Sequence, residues 1–258
     1  MRDWMAVRNQ YLQDTVESAG PRQFPHPLCD NCNSEGAEYR CRDCFHGMQL
    51  CKACCLKAHQ RNPFHRMDTW TGGFYRRTFD WQRKIGLVIS FGHGGSPCPI
   101  YNLPGEHPLP PSEPSEDDWE DVGEDDEKYE YESGGVGRDE LKVPRQFDAY
   151  GNPTLIVVHT NGIHYVQAQF CRCPNALPNA RQCMLGRVYP ASQIQPQTVF
   201  TFHVLDDCLT QRTECKTSVS NYYSKLRRNT TNMFPHLVPV RVQVVVWSHS
   251  DSVLGPVS

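Results

Sequence analysis

The stretch CDNCNSEGAEYRCRDCFHGMQLCKACCLKAHQRNPFH (29–65) decides how the first part of this chain folds. Its metal-capable residues fall as Cys29-x2-Cys32, Cys41-x2-Cys44 and Cys51-x2-Cys54, followed by His59 and His65. Zinc takes four nitrogen or sulfur ligands in a tetrahedron, and a C-x2-C pair can put both sulfurs on one ion because the backbone turns tightly around it. Eight ligands make two complete sites. The spacing predicts an interleaved cross-brace, with Cys29, Cys32, Cys51 and Cys54 on one zinc and Cys41, Cys44, His59 and His65 on the other. Each ion then crosslinks segments distant in sequence, so the span folds with hardly any apolar core. A closed four-ligand site has no open position for catalysis, so both ions are structural. Residues 56–62 are predicted as a short helix presenting His59, with Pro63 ending it and His65 returning from a loop. His46 is a weaker competitor for a ligand position, and Cys55 reads as a buried or free thiol.

Outward from this module, residues 3–18 place Trp4, Val7, Tyr11, Leu12 and Val16 at helical spacing, and Gly20-Pro21 supplies a stop. Residues 21–28 read as extended and proline-rich. After the module, WTGG (70–73) reads as a turn and IGLVISF (85–91) as a buried strand. TLIVVH (154–159), the turn at Asn161-Gly162 and IHYVQAQF (163–170) form a hairpin pattern. VFTFHVL (199–205) reads as a strand, SVSNYYSKLRR (218–228) as a helix and VRVQVVVW (240–247) as an alternating strand or the start of another element. The fold expected is α+β: a small cross-braced double-zinc module followed by a mixed, mainly β domain with a disordered acidic insert. The divisions are 1–24 (helix), 25–68 (zinc module), 69–103 with 143–258 (β-rich domain) and 104–142 (insert).

The net charge of −3 over 258 residues conceals a separation. Residues 106–140 hold 15 Asp and Glu against only Lys128 and Arg138, a net of −13 that leaves +10 on the remainder. That insert cannot bury enough apolar surface to offset the entropy of ordering, while a basic remainder suits an anionic partner. No stretch approaches 18 apolar residues, which argues against a membrane-spanning helix. Nor do the first residues form a secretory signal, so the chain is expected to be intracellular and its clustered cysteines metal ligands rather than disulfides. A further constellation joins Cys171-x-Cys173, which follows a strand, to His93 and Cys98. Strand alternation puts both sulfurs on one face, giving a candidate third metal site.

Beyond the cysteines, the chain carries PFHR (63–66), WTGGF (70–74), GLVISFGH (86–93), GIHYV (162–166), FCRC (170–173), YPAS (189–192) and PQTVFTF (196–202). In this order and at these separations, residues 25–230 resemble the CxC-type cysteine-cluster domain, second class, that precedes the catalytic core of fungal KDZ transposases. The module itself is similar to ZZ and B-box zinc modules. Tyr189 and Ser192 stand where that family suggests Phe and Thr, and the acidic insert lengthens a loop. The resemblance implies a nuclear, non-catalytic accessory domain that binds DNA, chromatin or another transposase subunit. Asp206, Asp207 and Glu214 lie too close together to form a two-metal nuclease core, and the chain ends at Ser258, so it reads as a truncated or stand-alone copy.

Candidate phosphate contacts are Arg40, Arg42, Lys52, Lys57, Arg61, Arg66, Arg76 and Arg77, interleaved downstream with aromatics. No small-molecule substrate or membrane is expected. The alternative is a peptide-binding adaptor using Asp30, Glu35, Glu38 and Asp43 as an acidic pocket. A Cys/His hydrolase pairing Cys183 with His164 or His203 has no supporting motif.

Overall fold

A computed structural model describes residues 2–20, 27–102, 147, 151–232, 235 and 238. The expected insert (104–142) and the element expected at 240–247 lie outside the described residues, as does most of the extended 21–28 stretch.

The chain opens with α1 (Arg2–Ala19). Its apolar residues do not meet the core: Trp4, Tyr11, Leu12 and Val16 are all more than half exposed. The helix is tied to the module at its end, where Arg40 Nη1 donates to Ala19 O at 2.7 Å. Short strands β1 (Tyr39–Cys41) and β2 (Gln49–Leu50) follow, then α2 (Lys52–His59), β3 (Met67–Trp70) and β4 (Tyr75–Thr78). They form an antiparallel sheet in the order β2-β1-β3-β4. The turn expected at 70–73 joins β3 to β4. The sequence pattern missed both strands because their residues, MDTW and YRRT, lack an apolar alternation. β3 also runs straight through the expected boundary at 68–69.

Two elements differ from the sequence reading nearby. The helix predicted over 56–62 begins directly after Cys51 and ends at His59, so the third C-x2-C pair sits on its first turn. The strand predicted over 85–91 is shorter. Trp81–Ile85 is helix α3, ended by Gly86 in the left-handed region at φ +80°, whose N–H bonds back to Gln82 O and Arg83 O. Only Val88–Ser90 forms strand β5, and as an edge strand it leaves Val88 exposed.

The second sheet orders as β5-β7-β6-β9-β8. β6 (Thr154–His159) and β7 (Gly162–Gln169) are the predicted hairpin; β8 is Val188–Pro190 and β9 is Thr198–Thr201. β5 runs parallel to β7 and β6 parallel to β9, so the sheet is mixed. The stretch read as a strand through residue 205 instead switches at Thr201. Its hydroxyl accepts the Val204 N–H at 3.3 Å and caps α5 (Phe202–Cys215). Valine and phenylalanine there suit a strand, but burial of Val204 and Cys208 has helical spacing. Ser218 caps α6 (Val219–Thr230) in the same way, and α4 (Asn179–Leu185) precedes β8.

Side chains alternate across this sheet as a two-residue period demands. Val157 and Val199 join a core that also contains Cys29, Leu50, Met67 and Trp81, whereas Val158 and Phe200 face Val204, Tyr222 and Leu226 beneath α5 and α6. The first of these clusters spans both sheets, so the cysteine-rich module and the mixed sheet share apolar packing. No described helix is long and apolar enough to cross a membrane.

Candidate metal centres

All thirteen cysteines are unpaired thiols, and six of the module's seven fall into two groups, one of four cysteines and one of two cysteines with two histidines. Ligand atoms of Cys29, Cys32, Cys51 and Cys54 lie within 4.8 Å of one another, as do those of Cys41, Cys44, His59 and His65. Zinc–sulfur bonds of about 2.3 Å and zinc–nitrogen bonds of about 2.0 Å in a tetrahedron imply sulfur–sulfur edges of roughly 3.8 Å and sulfur–nitrogen edges of roughly 3.6 Å. Cys32 and Cys51 are 3.8 Å apart, Cys44 lies 3.6 Å from His59 Nε2, and Cys41 lies 3.5 Å from His65 Nδ1. The groups therefore fit a tetrahedral ion and are too far apart for disulfides.

Local bonds set each ligand. In the second knuckle Cys44 N–H points at Cys41 Sγ at 3.3 Å, and in the first group Asn31 Nδ2 donates to Cys54 Sγ at 3.2 Å. His59 has its Nδ1 3.0 Å from Cys55 O; a proton on Nδ1 completes that bond and leaves the Nε2 lone pair facing Cys44. Burial pushes the pKa of His59 and of His65 down, keeping the neutral imidazoles that a metal needs. Hydrogen bonding by the Ser34 hydroxyl holds the Cys32 thiol down at about 6, favouring the thiolate. Cys55 is buried and its thiol is pushed up to about 12 by burial, as suits a packing residue.

The most important partners of these ligands come from farther along the chain. Asp43, between Cys41 and Cys44, accepts the Arg66 backbone N–H at 2.6 Å and the Arg66 guanidinium at 2.5 Å. It also accepts Asn161 Nδ2 at 3.0 Å, and the same nitrogen reaches Phe64 O at 2.8 Å. Trp81 Nε1 donates to His65 O at 3.0 Å, and Gln82 Nε2 to Pro63 O at 3.0 Å. The loop carrying His65 is thus fastened to α3 and to the β6–β7 turn. Spacing gave no hint of these partners.

His93, Cys98, Cys171 and Cys173 form a third group. Cys171 and Cys173 lie 3.2 and 3.6 Å from His93 Nε2, and Cys98 lies 4.0 and 3.8 Å from the same two sulfurs. Burial opposes ionisation of Cys98, but backbone N–H groups of Arg172 and Ile100 with the His93 ring bring its thiol down to about 6. The strand end after β7 supplies the C-x-C pair, and the loop after β5 brings His93 and Cys98 alongside. A Cβ on Gly92 would fall 2.5 Å from the Cys171 Cβ, so the two segments approach this closely only because residue 92 is glycine.

Residues 142–234 match the family model of the CxC2-like cysteine cluster associated with KDZ transposases. The segment runs through the hairpin, the C-x-C pair and α5 to the end of α6, a little over a third of the chain. The motif resemblance therefore holds there, while the N-terminal module lies outside the match. Neither the curated proteins nor the solved structures give a match.

The other candidates separate clearly. Cys183 and Cys208 are buried in the core clusters, Cys215 is exposed, and His46 belongs to none of the three groups. Three of the eight candidate phosphate contacts are engaged inside the fold: Arg40 pairs with Asp68 and lies over the Tyr75 ring, Arg66 pairs with Asp43, and Arg77 donates to Asn229 O. Their partners come from β3 (Asp68), the second knuckle (Asp43) and the last turn of α6 (Asn229). Arg42, Lys52, Lys57, Arg61 and Arg76 are exposed. In the alternative acidic pocket, Asp30 accepts the Gln49 N–H at 2.8 Å and Asp43 is saturated, leaving Glu35 and Glu38 on the surface.

Proposed function

We propose that the chain is a non-catalytic, zinc-binding accessory domain of the KDZ-transposase type that acts in the nucleus by binding DNA or a transposase subunit. The observation that carries the metal reading is the set of three four-residue groups whose separations suit a tetrahedral zinc. Each group would use all four positions for protein ligands, so the ions would crosslink segments rather than activate water. Zinc held this way fixes the loop ends against the two sheets. Elemental analysis and native mass spectrometry of the intact chain should find three zinc ions; two or fewer sinks the reading of the third group. Gly92→Ala should lower the count by one, because the added methyl forces Cys171 away from His93.

The nucleic-acid part rests on the +10 balance outside residues 106–140. Exposed arginines and lysines would neutralise phosphates and release counterions, so affinity should fall steeply with salt. An acidic peptide pocket is disfavoured, because two of its four carboxylates, Asp30 and Asp43, are taken up by internal bonds.

A further inference from the structure

A shallow, partly open notch lies where the two sheets meet, with Arg66, Arg77, Asn161, His164 and Thr230 among its walls; its enclosed space is only about 10 Å³, so a ligand would sit at its mouth. Arg66 enters from the residue after His65 and Arg77 from β4. Arg42, in the second knuckle, is held near them because its backbone N–H bonds Arg66 O at 2.9 Å. The neighbouring acids are already engaged: Asp43 by Arg66 and Asn161, Asp68 by Arg40. Among the described residues no carboxylate lies within ion-pair distance of Arg77. One of its nitrogens donates to Asn229 O in the last turn of α6, where the helix carbonyls favour a cation. Among the described residues, no further hydrogen-bond acceptor is seen for its other donors. Burial chiefly, with Arg42 and Arg66 adding to it and Asp68 and Asp43 opposing it, pushes Arg77 down to about 10, and Arg42 and Arg66 are thereby placed among its electrostatic neighbours. His164 is kept neutral by burial, at about 3, and adds nothing to that charge.

We propose that the mouth of this notch seats a backbone phosphate of duplex DNA, held by Arg42 and Arg77 at the junction of the cysteine-rich module and the mixed sheet, with the Arg66–Asp43 pair as a neutral wall beside them. The proposal rests on the nucleic-acid reading above and adds its location. Guanidinium groups suit it because their planar forks meet phosphate oxygens in pairs, which lysine ammonium groups do not. The site is composite: Arg42 and Arg66 flank ligands of the second metal group, whereas Arg77 is anchored to α6. DNA therefore engages both halves of the chain at one point instead of lying along Lys52, Lys57 and Arg61 near α2.

The test is fluorescence anisotropy with a short labelled duplex and the zinc-loaded full chain across a salt series. Arg42→Gln and Arg77→Gln should each weaken binding and flatten the plot of log affinity against log salt by about one unit of slope. Replacing Lys52, Lys57 and Arg61 together by Gln should leave that slope unchanged. Arg77→Gln also removes a contact to α6, so Arg42→Gln, at an exposed position, is the decisive variant, with melting temperature and zinc content measured alongside. An unchanged slope for Arg42→Gln and a reduced one for the triple variant overturns the notch while leaving DNA binding in place. No binding by the unaltered chain at low salt overturns both.

Discussion

Excess chelator is expected to dismantle the four-stranded sheet, with loss of near-ultraviolet dichroism and a red shift of tryptophan emission as Trp81 meets water. Apart from the apolar packing it shares with the mixed sheet, little within its own strands holds it. Its strands run two to four residues, and β3 and β4 carry Asp68, Arg76 and Arg77 in place of a run of apolar residues. Structural zinc in small modules contributes roughly 10–16 kcal/mol of apparent binding free energy, all of it folding free energy where the site does not pre-exist. That is as large as the whole stability of a typical domain, about 5–15 kcal/mol. Cys41→Ser or His59→Ala should reproduce the effect for the second group alone. The mixed sheet should respond differently, because Val158, Phe200, Val204, Tyr222 and Leu226 remain packed beneath α5 and α6 without any metal. Its secondary structure should persist at a lower melting temperature, since the other cluster is shared with the module. A chelated chain that keeps its near-ultraviolet signal and its melting temperature would refute the metal-dependent sheet.

What could be read from sequence depended on how local its cause was. A C-x2-C knuckle is closed within four residues, so the first two groups followed from spacing, and the 154–170 hairpin followed from Asn161-Gly162 between two β-rich runs. The run at 218–228 was likewise readable as a helix, and α6 spans Val219–Thr230. The third group was legible as a candidate only, because His93 and Cys171 are brought together by the parallel β5–β7 pairing and by the space left at Gly92. Least legible were the polar roles. Nothing near Asp43 in sequence predicts that Asn161 will complete its bonds, nor that Arg40, Arg66 and Arg77 will be drawn into the fold while Lys52 and Arg61 stay in water. Those assignments need the strands β3 and β4, whose alternation is polar and silent. Strand-forming residues in the first turn of α5 misled for a related reason: Thr201 caps the helix by a side-chain bond that composition does not show.

Trp81→Ala should cost about 3–5 kcal/mol of stability, in the range for truncating a fully buried large aromatic, and should also release the metal of the second group. Trp81 is 1% exposed and heads the fully buried side chains by volume. Its ring meets the edge of His59 at 5.4 Å between centroids, and its Nε1–H donates to the carbonyl of His65. One side chain therefore packs against one ligand of the group and fixes the backbone of another. Truncation leaves a cavity between α2 and α3 and an unsatisfied carbonyl beside the His65 loop, whose other ties are Gln82 to Pro63 and Asn161 to Phe64. Trp81→Phe separates the two contributions. It restores most of the volume but not the N–H donor, so it should recover the larger part of the stability. Zinc affinity of the second group should still fall by about 10–100-fold, the scale for losing an outer partner of a metal ligand. Chelator competition followed by a zinc dye, alongside thermal melts, reads both effects. If Trp81→Ala lowers the melting temperature yet releases zinc no faster than the unaltered chain, Trp81 serves the core alone and has no part in positioning His59 and His65.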